Sequence, residues 1–190
     1  MHLHQPSEQV QDAKTALQML KDGNDRFVQN RLCDKSSYEQ DRLLLVDGQK
    51  PFAVVLCCSD SRVPPEIFFD QKLGDIFVVR NAGNIVDETV LGSIEYAVEH
   101  LGCPLVVVCG HNNCGAVTAA CEGGSLPPNI RSLVDHIQPA VDRGGNVDDV
   151  TRANVEIMAD LIRDDDVIQH LKTTVAGAFY DLRTGVVSWL

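Results

Sequence analysis

The chain has 190 residues, 44% of them hydrophobic and 23% charged, with a formal net charge of −11 at pH 7. That length suits one domain with a core of its own, and the mix is that of an ordinary soluble globular protein. The negative balance argues against a nucleic-acid partner, whose phosphates call for Lys and Arg. The opening residues, MHLHQPSEQVQD, hold no basic stretch leading into an apolar one, so they read as no secretory signal. No apolar run approaches the roughly 18 residues of a spanning helix. The expected setting is cytoplasmic, with no membrane partner. Seven cysteines, an odd number, argue against a disulfide framework and for metal binding or plain burial.

In chain order, Ser7 is placed to cap a helix carrying Val10, Ala13, Leu17 and Leu20 at helical spacing. Residues 21–24, KDGN, are expected to interrupt it before Phe27 and Val28 resume the apolar face. A second short helix is expected around Leu43, Leu44 and Leu45. The pattern then changes. Residues 52–58 form a continuous apolar run, 76–79 a second and 105–109 a third. Runs without alternation predict strands buried on both faces, as in a parallel sheet. Helical stretches separate and follow them. Residues 89–101 place Val90, Leu91, Ile94, Ala97, Val98 and Leu101 on one stripe, with Gly102 at its end. Further helices are expected over 116–121, 130–141, 148–162 and 166–171. In the last residues, VAGAFYDLRTGVVSWL, two β-like runs flank DLRTG as a hairpin connection. With no repeat and no linker, the reading is a single α/β domain over residues 1–190. Its mainly parallel β-sheet is flanked by helices and ends in a terminal hairpin.

Two polar stretches leave the C-terminal ends of apolar runs: CCSDSR at 57–62 and GHNNCG at 110–115. In open α/β sheets ligands bind beyond the carboxyl ends of strands, so the two stretches can meet at one site. Zinc takes thiolate and imidazole ligands in tetrahedral geometry, and catalytic sites leave one position open. Cys58, His111 and Cys114 would form such a Cys₂His set. Successive side chains on a strand face opposite ways, so Cys57 and Cys58 do not easily share one ion. The strand exit favours Cys58 without excluding Cys57. Asp60 beside such an ion can orient its water or ligate the metal itself, and Arg62 can hold that carboxylate ionised. Each cysteine taken alone reads as well as a buried core residue, and these residues do not name a substrate.

The motifs together resemble the β-class carbonic anhydrases. CSDSRVPPE (58–66), GDIFVVRNAGN (74–84), EYAV (95–98) and CGHNNCGAV (109–117) look like that family's successive blocks in order, and LKDGNDRFV (20–28) fits as well. The joint occurrence of Cys-x-Asp-x-Arg and His-x-x-Cys carries the specificity. The resemblance implies one Zn²⁺ per subunit on Cys58, His111 and Cys114, and a catalytic pair of Asp60 and Arg62. It implies a substrate pocket of Gln49, Phe77, Ala82, Tyr96 and Gly115. Cys57 departs from the small residue usual in the family. The implied reaction is the reversible hydration of CO₂ to bicarbonate and a proton. The implied partner is a second copy of the chain, in a dimer or tetramer, with the N-terminal helices packing on the partner subunit. Gln49, with Val55 where one branch carries Trp, points to the plant-like branch, in which Asp60 pairs with Arg62 rather than with zinc. Turnover of CS₂ or COS, or a non-catalytic zinc protein, are the alternatives.

Overall fold

The three apolar runs become the parallel centre of a five-stranded sheet in the order β2-β1-β3-β4-β5. β1 (Ala53–Cys58), β2 (Ile76–Asn81) and β3 (Leu105–His111) run the same way, and β4 (Thr174–Tyr180) continues that direction beside β3. β5 (Val187–Trp189) returns antiparallel to β4. The computed structural model describes residue 10 and residues 12–190, so the expected Ser7 cap lies outside the described residues. Every residue of β1 and β3 is buried, which is why neither shows polar alternation. The register sets Cys57 opposite Cys109, so β1 and β3 end side by side. The hairpin forms at the expected place. Asp181 Oδ1 accepts the N–H groups of Arg183 and Thr184, an Asx turn that closes DLRTG.

Helices cover the sheet. α4 (Glu88–Glu99) connects β2 to β3 and is capped by Asp87, whose Oδ1 accepts the Thr89 and Val90 N–H groups. Between β3 and β4 come α5 (Gly115–Glu122), α6 (Pro128–Val141), α7 (Val147–Arg163) and α8 (Asp166–Leu171). A capping box of Asn146 and Asp149 opens α7. Its buried stripe of Val150, Val155, Met158, Ala159 and Ile162 lies over β3 and β4.

α1 (Ala13–Val28) corrects one expectation: it runs unbroken through 21–24. Both residues that weaken the helix there are held by contacts outside it. A Cβ on Gly23 would sit 1.8 Å from the Phe69 carbonyl oxygen, so glycine permits the close approach of α1 to the end of α3 (Pro65–Phe68). Asn24 donates to the Phe68 and Gly185 carbonyls at 2.9 and 2.8 Å and accepts the Val187 N–H at 2.9 Å. Tertiary contacts here outweigh propensity. The short α3 had no counterpart among the sequence expectations. Of the N-terminal helices, α1 turns Ala16, Leu20, Gly23 and Asn24 into its own chain. α2 (Tyr38–Leu44) leaves Leu43 and Leu44 exposed.

Asp70 ties the N-terminal segment to this frame. Its fully buried carboxylate pairs with Arg26 at 2.6 Å and Lys35 at 3.1 Å and accepts the Cys33 N–H. Burial pushes the Asp70 carboxyl up, but the hydrogen bonds from Arg26, Cys33 and Lys35 outweigh it and hold the pKa below the usual value.

Two outcomes are expected. Asn24→Ala strips three buried backbone groups of partners and should lower the unfolding free energy by about 3 kcal/mol, at about 1 kcal/mol for each bond lost, read by urea denaturation. For Asp70, a depressed folded-state pKa means its contribution is complete above the ordinary carboxyl value of 3.8 and is lost as pH falls through the lower folded value. The stability gap between parent and Asp70→Asn should therefore stay constant from about pH 7 to about pH 5 and narrow only in stronger acid. A gap that closes within the upper window contradicts this account.

Candidate metal centre

The ends of β1 and β3 bring together three side chains from residues far apart in sequence. Cys58 is the last residue of β1, His111 the last of β3, and Cys114 stands at the N-cap of α5 after a turn through Asn113. Their ligand atoms lie within 4.8 Å of one another, and Cys58 Sγ is 3.9 Å from Cys114 Sγ. All three are buried. Asn113 takes a left-handed conformation, φ 52°, which an Asn tolerates and which makes the turn tight enough to return Cys114 to His111.

The donor set fits a zinc ion. His111 Nδ1 lies 2.8 Å from the Asn112 carbonyl oxygen, which can only accept. The ring proton therefore sits on Nδ1, and the Nε2 lone pair faces the thiols. Nε2 is buried with no hydrogen-bond partner among the described residues. A buried, unpaired nitrogen beside two thiols is costly in isolation and suited to a metal. The two thiols face one another. The Cys58 thiol is pulled down, foremost by the Cys114 thiol facing it, against its own burial. His111 and the Gly83 N–H add to the pull. Cys114 is pushed up by Cys58 and by burial, while the Ala116 and Val117 N–H groups in the first turn of α5 work the other way.

Cys57 faces the core. Burial pushes its thiol up to about 12, the state of an inert packing residue. The structure groups Cys58, not Cys57, with His111 and Cys114.

Asp60 and Arg62 lie on the loop leaving β1. Arg62 grips the carboxylate with two parallel bonds, Nε to Oδ1 at 2.9 Å and a terminal nitrogen to Oδ2 at 2.7 Å, and its own N–H adds a third. These bonds, Arg62's side chain first, hold the Asp60 carboxyl far below the usual range against the opposing effect of burial. Asp60 Oδ2 lies 4.0 Å from His111 Nε2, so the ionised carboxylate borders the three ligands. Arg62 also donates to the Asn113 carbonyl at 3.3 Å, joining the two loops.

Of the pocket residues expected from sequence, Gly115 directly follows Cys114 and Ala82 directly precedes Gly83, whose N–H points at Cys58 Sγ at 3.4 Å. Gln49 is elsewhere. It precedes β1 and lines a cavity of about 520 Å³ with Arg42, Leu45, Val46 and Leu73. Residues 53–58 span roughly 16 Å at a strand's rise, so Gln49 and Cys58 lie at opposite ends of the sheet. Phe77 pairs in register with Val54, near that same far end, and packs against Tyr96 at 6.4 Å between ring centroids. One chain does not bring Gln49, Phe77 and Tyr96 to its own metal ligands.

Several groups escaped the sequence reading: the carbonyls of Asn112 and Asn113, and the Gly83 N–H. Arg80 donates to the Cys58 and Asp60 carbonyls at 2.9 and 2.7 Å and fixes the loop between them. Backbone groups carry no residue signature. The only cue was the richness of RNAGN and HNNCG in Gly and Asn, residues that accept unusual backbone angles.

The family model described as carbonic anhydrase matches residues 53–187. The chain belongs to the β-carbonic anhydrase family. It is 52% identical over 130 residues to carbonic anhydrase 2 of Mycobacterium tuberculosis, covering 66% of this chain and 63% of that protein. It is 41% identical over 104 residues to a Pseudomonas aeruginosa carbonic anhydrase, covering 50% and 47%. These matches span less than two thirds of the relatives' lengths. Among solved structures, a β-carbonic anhydrase of Aspergillus fumigatus superposes with TM-score 0.73 at 28% identity, covering 82% of this chain and 84% of that one. A tetrameric β-carbonic anhydrase from Sordaria macrospora gives 0.73 at 25% identity, with 93% and 97% covered. β-Carbonic anhydrases use zinc, and Cys58, His111 and Cys114 are a group in this chain that could hold the ion.

Cys58→Ala should leave the protein with little zinc after gel filtration, while Cys57→Ala keeps the parent's content. Equal loss in both, or loss in Cys57→Ala alone, overturns the choice between the adjacent thiols.

Proposed function

We propose that this chain is a zinc lyase, a carbonate dehydratase, that interconverts carbon dioxide and bicarbonate with release of a proton. The observation that carries this reading is the Asp60–Arg62 pair set against the three ligands. A purely structural zinc site has four protein ligands and needs no oriented carboxylate at its border. Here, among the described residues, three converge, and the bordering carboxylate of Asp60 is engaged by Arg62.

A zinc ion on Cys58, His111 and Cys114 supplies a Lewis acid that makes water nucleophilic near neutral pH. The chain's own residues do the rest. Asp60 Oδ2 would accept a hydrogen bond from the attacking water and so turn its lone pair toward CO₂. Arg62 keeps Asp60 ionised, which leaves the carboxylate an acceptor. The pairing also supports the plant-like branch, in which Asp60 stays off the metal. Ala82 offers an apolar wall for the linear substrate, and the Gly115 N–H, at the start of α5, is a backbone donor beside Cys114.

On this reading the remaining pocket residues come from a second copy. Gln49, Phe77 and Tyr96 lie toward the far end and edge of the sheet. Tyr96 is 49% exposed, and β2, which carries Phe77, is an edge strand with half-buried apolar residues. Seated against a partner, they supply a carboxamide donor and aromatic walls to its metal centre. The proposed assembly is a dimer, or a tetramer as in the Sordaria macrospora relative. The proposed unit is one domain over residues 1–190, and the proposed setting is the cytoplasm. Among the described residues, no helix is long and apolar enough to cross a membrane.

Stopped-flow CO₂ hydration by zinc-replete protein tests the reading. The parent should turn over CO₂, and Asp60→Asn should keep the fold and its zinc while losing roughly 10² to 10⁴ in rate. Activity of the variant within about threefold of the parent, well inside that range, removes the role given to Asp60. A parent idle on CO₂ but active on CS₂ or COS reassigns the substrate.

A further inference from the structure

The turn that delivers a hydrogen bond to Cys58 is held from the opposite side by one buried side chain. After β2 the chain makes a single 3₁₀ turn, Ala82–Asn84, in which Gly83 takes φ 79°, ψ 11°. A Cβ there would meet Ile137 Cδ1 at 2.8 Å and Ala116 Cβ at 3.1 Å, so both the angle and the space require glycine. In this conformation the Gly83 N–H faces Cys58 Sγ at 3.4 Å. Asn81 closes the loop on itself, donating to the Ile85 carbonyl and accepting the Ile85 N–H.

What fixes the loop against the rest of the molecule comes from α7. Asn154 is fully buried, and its Nδ2 donates to the Gly83 carbonyl at 3.0 Å. One helical turn on, Met158 Sδ accepts the Val86 N–H at 3.1 Å. The two tethers share a face of α7. Thr151, which bonds the Val147 carbonyl of its own helix, and Asn154 are the polar residues on a buried face that otherwise carries Val150, Val155, Met158, Ala159 and Ile162. An apolar residue of like size would bury more hydrocarbon there, and a buried amide costs stability unless it is bonded. Its Nδ2 bond to Gly83 is what the carboxamide supplies at this position, although its Oδ1 is buried with no hydrogen-bond partner among the described residues.

We propose that Asn154 is a positioning residue of the metal centre: by holding the Gly83 carbonyl from α7, it keeps the Gly83 N–H aimed at the Cys58 thiolate. An N–H bond to a ligand sulfur takes up part of its negative charge and fixes its direction, as partners behind a metal ligand do. Without Asn154 the turn keeps its internal Asn81 bonds but loses the anchor nearest Gly83. The inference rests on the reading that Cys58, His111 and Cys114 hold the metal, and its experiment separates the two.

The parent is first loaded with cadmium-113 and labelled with nitrogen-15. The Gly83 amide proton should show scalar coupling to the metal across the N–H···S bond. Metal retained without that coupling overturns the proposal and leaves the ligand set standing. A parent that binds no metal overturns both. Asn154→Leu, matched in size but without a donor, should then lose the coupling, shift the thiolate-to-metal charge-transfer band of the cobalt form, and weaken zinc binding by roughly 10-fold to 100-fold in chelator competition. Asn24→Ala, which loosens the α1–hairpin junction instead, is the reference for general destabilisation and should keep the parent's coupling, band and affinity. If Asn154→Leu binds zinc within about twofold of the parent, below the range for such partners, the role is refuted. Equal changes in Asn24→Ala refute it as well. Should Asn154→Leu fail to fold, the coupling in the parent decides.

Discussion

Cys58 and His111 reach one point because β1 and β3 are neighbours that run in the same direction. Parallel strands in register put their carboxyl ends on the same edge, and the pairing of Cys57 with Cys109 aligns those ends. Residues 58 and 111 are joined only through a crossover that includes β2 and α4, yet their strands deliver them side by side. An antiparallel neighbour would have carried His111 to the far edge. The apolar runs that form these strands, buried on both faces, are therefore what builds the site. A substitution that slipped β3 by one residue would turn His111 to the other face of the sheet.

Charge at that edge is arranged in pairs. One imidazole nitrogen and two thiols face one another, with no cationic side chain among them in the described residues. Asp60, a short step outward, has its charge already balanced by Arg62. Arg62 and Arg80 spend their remaining donors on backbone carbonyls of the same loops, at Asn113, Cys58 and Asp60. The two arginines thus fix the loops and leave the ligand atoms free. This division holds the electrostatics of the cluster apart from the chain's net charge of −11, most of which lies on exposed helix surfaces.

The strands were legible in the sequence as far as they stayed apolar. β2 was expected to stop at residue 79 and β3 at 109, whereas they extend to Asn81 and His111. Three of the four added residues are polar and act at the site: Arg80 grips the β1 loop, Asn81 closes the turn after β2, and His111 stands beside Cys58 and Cys114. Function overwrote the strand pattern at the place where it matters most. The reverse error occurred at Gly23 and Asn24, where local helix-breaking chemistry pointed to an interruption and distant carbonyls decided otherwise. The ligand set itself was legible through its motifs. The bond from Asn154 to Gly83 was not, since it joins residues 71 apart with no spacing rule between them.

A small apolar substrate needs walls, and the ligand edge of one chain offers few. Ala82 is small, and Tyr180, in register with His111, is stacked on Phe68. Phe77, Tyr96 and the Gln49 carboxamide stand instead toward the other end of the sheet and its β2 edge. An edge strand carrying half-buried apolar residues, next to an exposed Tyr96 and an α2 with Leu43 and Leu44 outward, calls for cover. In the proposed dimer one burial event meets both needs: covering the β2 side of one subunit completes the pocket of the other. Catalytic competence would then depend on association. Dilution below the dimer's dissociation constant should abolish CO₂ turnover while zinc stays bound, because the ligands come from one chain and the pocket from two. Turnover per subunit that stays constant through dissociation, followed by analytical ultracentrifugation at matched concentrations, would place Gln49, Phe77 and Tyr96 outside the mechanism.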